Sequence, residues 1–147
     1  MILLPPDLKD FLRLLNSNAV EYLLVGGYAV GYYGYPRATG DMDIWIAKTP
    51  VNAENVTEAL RAFGFRASSI TPSLFLMPDK VFRMGNPPLR IELLTDISGV
   101  EFAPCWAARE VAIIDDTTLN IINLDDLKRN KLASGRVKDK NDVAHLP

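Results

Sequence analysis

The chain has 147 residues, 48% of them apolar and 23% charged, with a net charge of −2. This is the composition of an ordinary globular chain, long enough for one domain (residues 1–147) with a sizeable core, and it carries no global basic field for extended nucleic-acid binding. Cys105 is the only cysteine, which excludes an intrachain disulfide and fits a reducing cytoplasm.

No apolar run approaches the ~20 residues of a membrane span, and the opening MILLPPDLKD lacks the basic region and long apolar core of a signal peptide. A cytoplasmic chain without membrane contact is therefore expected. Pro5-Pro6-Asp7 starts a helix, with proline tolerated in the first turn and an acid at the positive end of the helix dipole. Leu8, Phe11, Leu12 and Leu15 give it one apolar face, and it ends near Asn16-Ser17-Asn18. Tyr22-Leu23-Leu24-Val25 has the length and apolar character of a buried strand. It stops at Gly26-Gly27, and the small residues from Tyr28 to Tyr33 predict a short helix. Pro36 and Gly40 bracket a loop carrying Arg37 and Thr39.

Asp41 to Ile46 is a second strand. Side chains alternate along it, so Asp41, Asp43 and Trp45 share one face and Met42, Ile44 and Ile46 the other. Two carboxylates about 6–7 Å apart on one face raise each other's pKa, a difficulty that a divalent cation removes. The glycines just upstream, at a helix N-terminus, offer backbone N–H groups to an anion. Phosphate on one side and metal on the other is the pairing this stretch suggests.

Thr49-Pro50 caps a helix carrying Val56, Leu60 and Phe63 and stopped by Gly64. Residues 65–79 are either a loop or one helical turn from Thr71-Pro72. Lys80 to Met84 and Leu89 to Leu94 read as strands around a turn at Gly85-Asn86-Pro87-Pro88. Glu92 sits in the second of these on the face of Arg90, costly there unless paired or metal-bound. A salt bridge to Arg90 is its structural alternative, although i and i+2 partners lie far apart on a strand. After a short segment through Pro104, Cys105 and Trp106, Glu110–Ile114 and Thr118–Ile122 form a hairpin at the sheet edge. Asn123 caps a helix that carries Lys128, Asn130, Lys131 and Leu132 up to Gly135, and a last short helix holds Asp142. Strands alternating with helices make the class α/β or α+β, a mixed sheet with helices mainly on one face.

Gly26-Gly27, the short helix and Thr39-Gly40-Asp41-Met42-Asp43-Ile44 resemble the signature of the polymerase β-like nucleotidyltransferase superfamily. The likeness covers most of the chain and is greatest to its small members, the minimal nucleotidyltransferases and the AbiE-type toxin–antitoxin enzymes. It implies transfer of a nucleotide monophosphate from an NTP such as ATP to a hydroxyl, with release of pyrophosphate. The acceptor would be a protein side chain, an RNA 3′ end such as that of tRNA, or a small alcohol. Arg90-Ile91-Glu92-Leu93-Leu94 resembles the segment of the third carboxylate, where Asp is usual and Glu92 is one methylene longer. The resemblance thus implies that Asp41, Asp43 and Glu92 are catalytic and hold two Mg²⁺ (or Mn²⁺) ions, with Glu92 on the ion that activates the acceptor. Gly26 and Gly27 amides would hold the β- and γ-phosphates. Asn130-Lys131-Leu132 and Arg136-Val137-Lys138-Asp139 are similar to the lysine-bearing helix and Arg-x-Lys-Asp run of small members, so Lys131 would reach triphosphate. Arg37 and Thr39, in the loop before the Asp-x-Asp strand, complete the nucleotide-binding candidates. The other reading is a non-catalytic binding module, one half of a two-component protein pair. A homodimer is a further expectation, because so small a domain leaves little protein to enclose a nucleotide.

His145, near the end of the sequence, is expected at the surface, and Cys105, without a histidine partner, as a buried or half-buried thiol. Tyr28, Tyr32, Tyr33 and Tyr35 are packing residues, any one of which could also stack on a base.

Overall fold

In the computed structural model, which describes residues 4–36, 40–86 and 89–147, helix α1 (Pro6–Ser17) buries Leu8, Phe11, Leu12 and Leu15. Strand β1 (Tyr22–Val25) is buried along its whole length. Helix α2 (Gly26–Tyr32) follows without a break, and β2 (Asp41–Ile46) returns antiparallel to β1. Arg37 and Thr39 lie outside the described residues.

Helix α3 (Pro50–Phe63) begins where Thr49 Oγ1 accepts a bond from Asn52 N and ends at Gly64. Asn52 itself is buried and fully used. Its Oδ1 accepts from Glu21 N at 2.7 Å, and its Nδ2 donates to Glu21 O and Ala47 O. One side chain thereby ties the start of β1, the end of β2 and the first turn of α3 together, which is how a buried amide avoids its desolvation cost.

A 3-10 turn at Pro72–Leu76 precedes β3 (Val81–Asn86) and β4 (Leu89–Leu94). The segment after β4, read from sequence only as a connection, contains a short helix, α4 (Phe102–Ala107). Strands β5 (Glu110–Ile114) and β6 (Thr117–Ile121) form the expected hairpin, β6 starting one residue earlier than expected. Asp115 and Asp116 make its turn at φ 50° and 60°, a conformation Asp tolerates better than most residues. Helices α5 (Leu124–Ser134), capped by Asn123, and α6 (Val137–His145) close the chain. Among the described residues no helix is long and apolar enough to cross a membrane.

The six strands lie in the order β3-β4-β2-β1-β6-β5. Strand β2 runs parallel to β4, and β1 parallel to β6. Tyr22, Leu24, Ile44 and Ile46 share one face, since Tyr22 pairs with Ile46 and Leu24 with Ile44. Tyr22 Oη on that face donates to Asn16 Oδ1 of α1, and Phe11 of α1 packs on Phe63 of α3 with ring centres 5.1 Å apart. The opposite face carries Asp41, Asp43 and Trp45. Phe102 of α4 meets Trp45 edge to face at 5.0 Å, so the apolar end of β2 is covered while its acidic end faces a cleft.

Candidate active site

The parallel pairing of β2 with β4 sets Asp41 beside Arg90, Asp43 beside Glu92 and Trp45 beside Leu94. Paired residues on adjacent strands project to the same face, so Asp43 and Glu92 are neighbours above the sheet. Burial raises the Asp43 carboxyl to about 7, helped by the charge of Glu92, by a hydrogen bond with it and by the charge of Asp41. Lys131 pulls the other way. Asp43 Oδ1 is buried and has no hydrogen-bond partner among the described residues.

The flanking carboxylates are held by arginines. Arg90 grips Asp41 through two bonds, Nε to Oδ1 at 3.1 Å and Nη2 to Oδ2 at 3.2 Å. Arg83, opposite Glu92 on β3, donates Nε to Glu92 Oε1 at 2.9 Å. The structural alternative for Glu92 is thus corrected: its arginine partner is Arg83, across the strand pair, while Arg90 serves Asp41.

Gly26 is the residue that lets the chain pass this close. Its φ is +66°, and a Cβ there would come 2.3 Å from Asp43 Oδ2. With Gly27 it forms one edge of a cleft of about 310 Å³ whose other walls include Asp41, Asp43, Lys131, Arg136 and Lys138. Lys131 Nζ is bonded to Asp139 Oδ1 and lies 3.2 Å from Asp142 Oδ2. Asp139 also accepts from Ser134 Oγ and from Arg136 Nε at 2.7 Å. Burial pushes Asp139 up, but these donors and the Lys131 charge outweigh it, and its carboxyl falls to about 2. The loop after β4 is clamped onto α5. Asn130 Nδ2 donates to Ser98 O, and Gly99 packs so tightly that a Cβ would sit 2.4 Å from that of Ala133.

Of the residues singled out from sequence, Asp41, Asp43, Gly26, Gly27 and Lys131 all line one cleft, and Glu92 adjoins it through Asp43. Arg37 and Thr39 fall outside the described residues. A gathering of three carboxyls at one gap does not occur: among the described residues no three His, Cys, Asp or Glu side chains are grouped to hold an ion. Asp41 and Glu92 are each paired with an arginine, Arg90 and Arg83. The ammonium of Lys131 is likewise engaged by two aspartates. Arg136 and Lys138, both exposed, also stand on the cleft wall, and only the tertiary placement of α6 shows it.

The remaining candidates behave as expected. Burial and Asp126 push the Cys105 thiol up to about 12. His145 is exposed and stacked on Tyr35 with ring centres 4.1 Å apart, its Nδ1 within 2.8 Å of Asn141 O. Tyr32 and Tyr33 both donate to Glu110.

No family model matches the sequence, and no curated protein matches it. Solved structures do. A candidate nucleotidyltransferase from Thermotoga maritima superposes with a TM-score of 0.64 at 14% identity, over 93% of this chain and 88% of that one. An antigenic nucleotidyltransferase-like protein from Paracoccidioides brasiliensis gives 0.56 at 18% identity, over 92% of this chain and 70% of that one. The chain has a nucleotidyltransferase-like fold.

Proposed function

We propose that this chain, as one domain, is a metal-dependent nucleotidyltransferase that moves a nucleotide monophosphate from an NTP to a hydroxyl. The observation that carries this reading is the Asp43–Glu92 pair above the sheet with the Gly26 backbone pressed against it. The residues fit a hard divalent cation, Mg²⁺ or Mn²⁺. All the donors are carboxylate oxygens, Asp43 keeps a buried Oδ1 without a partner, and no side chain at Gly26 crowds it. Magnesium is held through one or two carboxylates together with substrate phosphates, so a preformed three-carboxylate cage is not required.

Asp41, Asp43 and Glu92 would hold the metal, which when bound supplies positive charge to the triphosphate and to the acceptor oxygen. Gly26 and Gly27 would offer backbone N–H groups to phosphate oxygens. Arg136 and Lys138 add positive charge to the wall, and Lys131 holds α6 in place through its two aspartates. In the reaction the acceptor hydroxyl gives up its proton to solvent as its oxygen bonds to the α-phosphorus, the bond from the α-phosphorus to the bridging oxygen breaks, and pyrophosphate leaves. The acceptor is a protein hydroxyl, an RNA 3′ end or a small alcohol. A toxin–antitoxin setting in the cytoplasm and a homodimer complete the proposal.

A second reading, a non-catalytic module in a two-component pair, draws on the two arginine pairs that neutralise Asp41 and Glu92. One experiment separates them: single-turnover transfer from α-labelled NTP with Mg²⁺, acceptors identified by mass spectrometry. The enzyme reading expects Glu92→Gln to keep nucleotide affinity and lose at least ~10² in rate, the scale of one acid–base contribution. No label on any acceptor, with nucleotide still bound, would leave the binding module standing.

A further inference from the structure

A separate cavity of about 380 Å³ opens at the carboxyl ends of the parallel strands β2 and β4, on the face that carries Trp45. Crevices at such strand ends are where open α/β sheets take ligands. Its walls include the rings of Trp45, Phe102 and Trp106, packed on one another at 5.0 and 5.8 Å. Its charged lining is Glu21, Glu101, Asp96 and Lys48. Lys48 Nζ bonds both oxygens of Asp96, at 2.9 and 2.7 Å, so those two charges cancel. The carboxylates of Glu21 and Glu101 have no ion-pair or hydrogen-bond partner among the described residues.

We infer that this cavity binds an organic ammonium ion with an apolar body. Aromatic walls exclude water from the apolar part, and two uncompensated carboxylates attract positive charge and repel anions. A nucleotide triphosphate is therefore the wrong occupant. The Trp106 ring already accepts one cation, the guanidinium of Arg109 at 3.8 Å from its centre. The site needs no nucleotide and stands whether or not the carboxylate cleft transfers anything.

The chain's two tryptophans, Trp45 and Trp106, both line this cavity, so intrinsic fluorescence reads its occupancy. The test titrates the full chain with benzyltrimethylammonium, benzyl alcohol and benzoate at low salt, following fluorescence and heat. The cation should saturate with a Kd of about a millimolar or tighter, about tenfold ahead of the alcohol, and benzoate should not bind. Glu101→Gln, and the double variant Glu21→Gln with Glu101→Gln, should weaken the cation with unchanged melting, and added salt should weaken it further. Three results would each overturn the proposal. One is no saturable response to the cation. Another is equal binding of alcohol or benzoate. The last is cation affinity unmoved when both carboxylates are neutralised.

Discussion

Lys131 and Asp139 form an ion pair that solvent does not reach: Nζ and Oδ1 are 3.1 Å apart, with side chains 5% and 0% exposed. Breaking such a pair leaves a buried charge without a partner, which costs about 3–5 kcal/mol. Asp142 remains to soften the loss, so Asp139→Asn should destabilise by about 3 kcal/mol, the low end of that range. Because the Asp139 pKa falls from its ordinary value near 3.8 to about 2, its contribution is complete above 3.8 and is lost as pH falls toward 2. Urea unfolding between pH 5 and pH 2 should show this acid limb in the wild type and not in Asp139→Asn.

Gly26 and Gly34 both have positive φ, +66° and +107°, but only Gly26 has a neighbour in the way. Alanine at Gly34 should cost about 1 kcal/mol through the backbone alone. Alanine at Gly26 must also displace the Asp43 carboxylate and should cost about 1–3 kcal/mol more. Thermal melts of the two variants measure the difference. Equal losses would mean that the close approach to Asp43 has no energetic weight.

In chelator, ionising Asp43 should weaken the fold. Its folded pKa, about 7, lies above the ordinary 3.8, so its contribution is complete below 3.8 and is lost as pH rises through 7. Each unit of such a shift corresponds to about 1.4 kcal/mol. Stability should therefore decline from pH 4 to pH 8, and Asp43→Asn should flatten the decline. Mg²⁺ with nucleotide should restore the wild type above pH 7 and leave Asp43→Asn unmoved. Denaturant titrations across that range decide it.

Arg83 is 60% exposed although its partner Glu92 is not, so the pair is worth little beyond orientation. Arg83→Ala should change stability by less than about 1 kcal/mol and leave Mg²⁺-dependent nucleotide binding intact. Calorimetry showing that binding vanishes with Arg83 would make the arginine, rather than the carboxylates, the anchor.

Much of this was legible in the chain because it is written locally. The Thr49-Pro50 start and Gly64 stop of α3 are capping chemistry, and the shared face of Asp41, Asp43 and Trp45 is strand geometry. What escaped depends on partners distant in sequence. Alternation alone offers Glu92 only Arg90, because the register of its strand with Val81–Asn86 cannot be read from sequence; it is Arg83 that the register delivers. Helix α4 escaped because six residues containing Pro104 carry little helical periodicity, yet it is what lays Phe102 over Trp45. The pairing of two carboxyls, Asp41 and Glu92, with arginines and of Lys131 with aspartates is likewise a tertiary outcome.

The strand order has a consequence for how the chain is made. Leu24 of β1 has Ile121 of β6 as its neighbour on one side, and Ile122 N bonds back to Leu24 O. During synthesis β1 and β2 can pair early, but the far edge of β1 stays bare until the hairpin of β5 and β6 has been made. That edge belongs to a strand buried throughout in the finished protein, and such edges invite pairing with other chains. Nascent fragments that stop short of Thr117 should consequently be sticky and dependent on chaperones, and the gain of solubility should coincide with completion of β6.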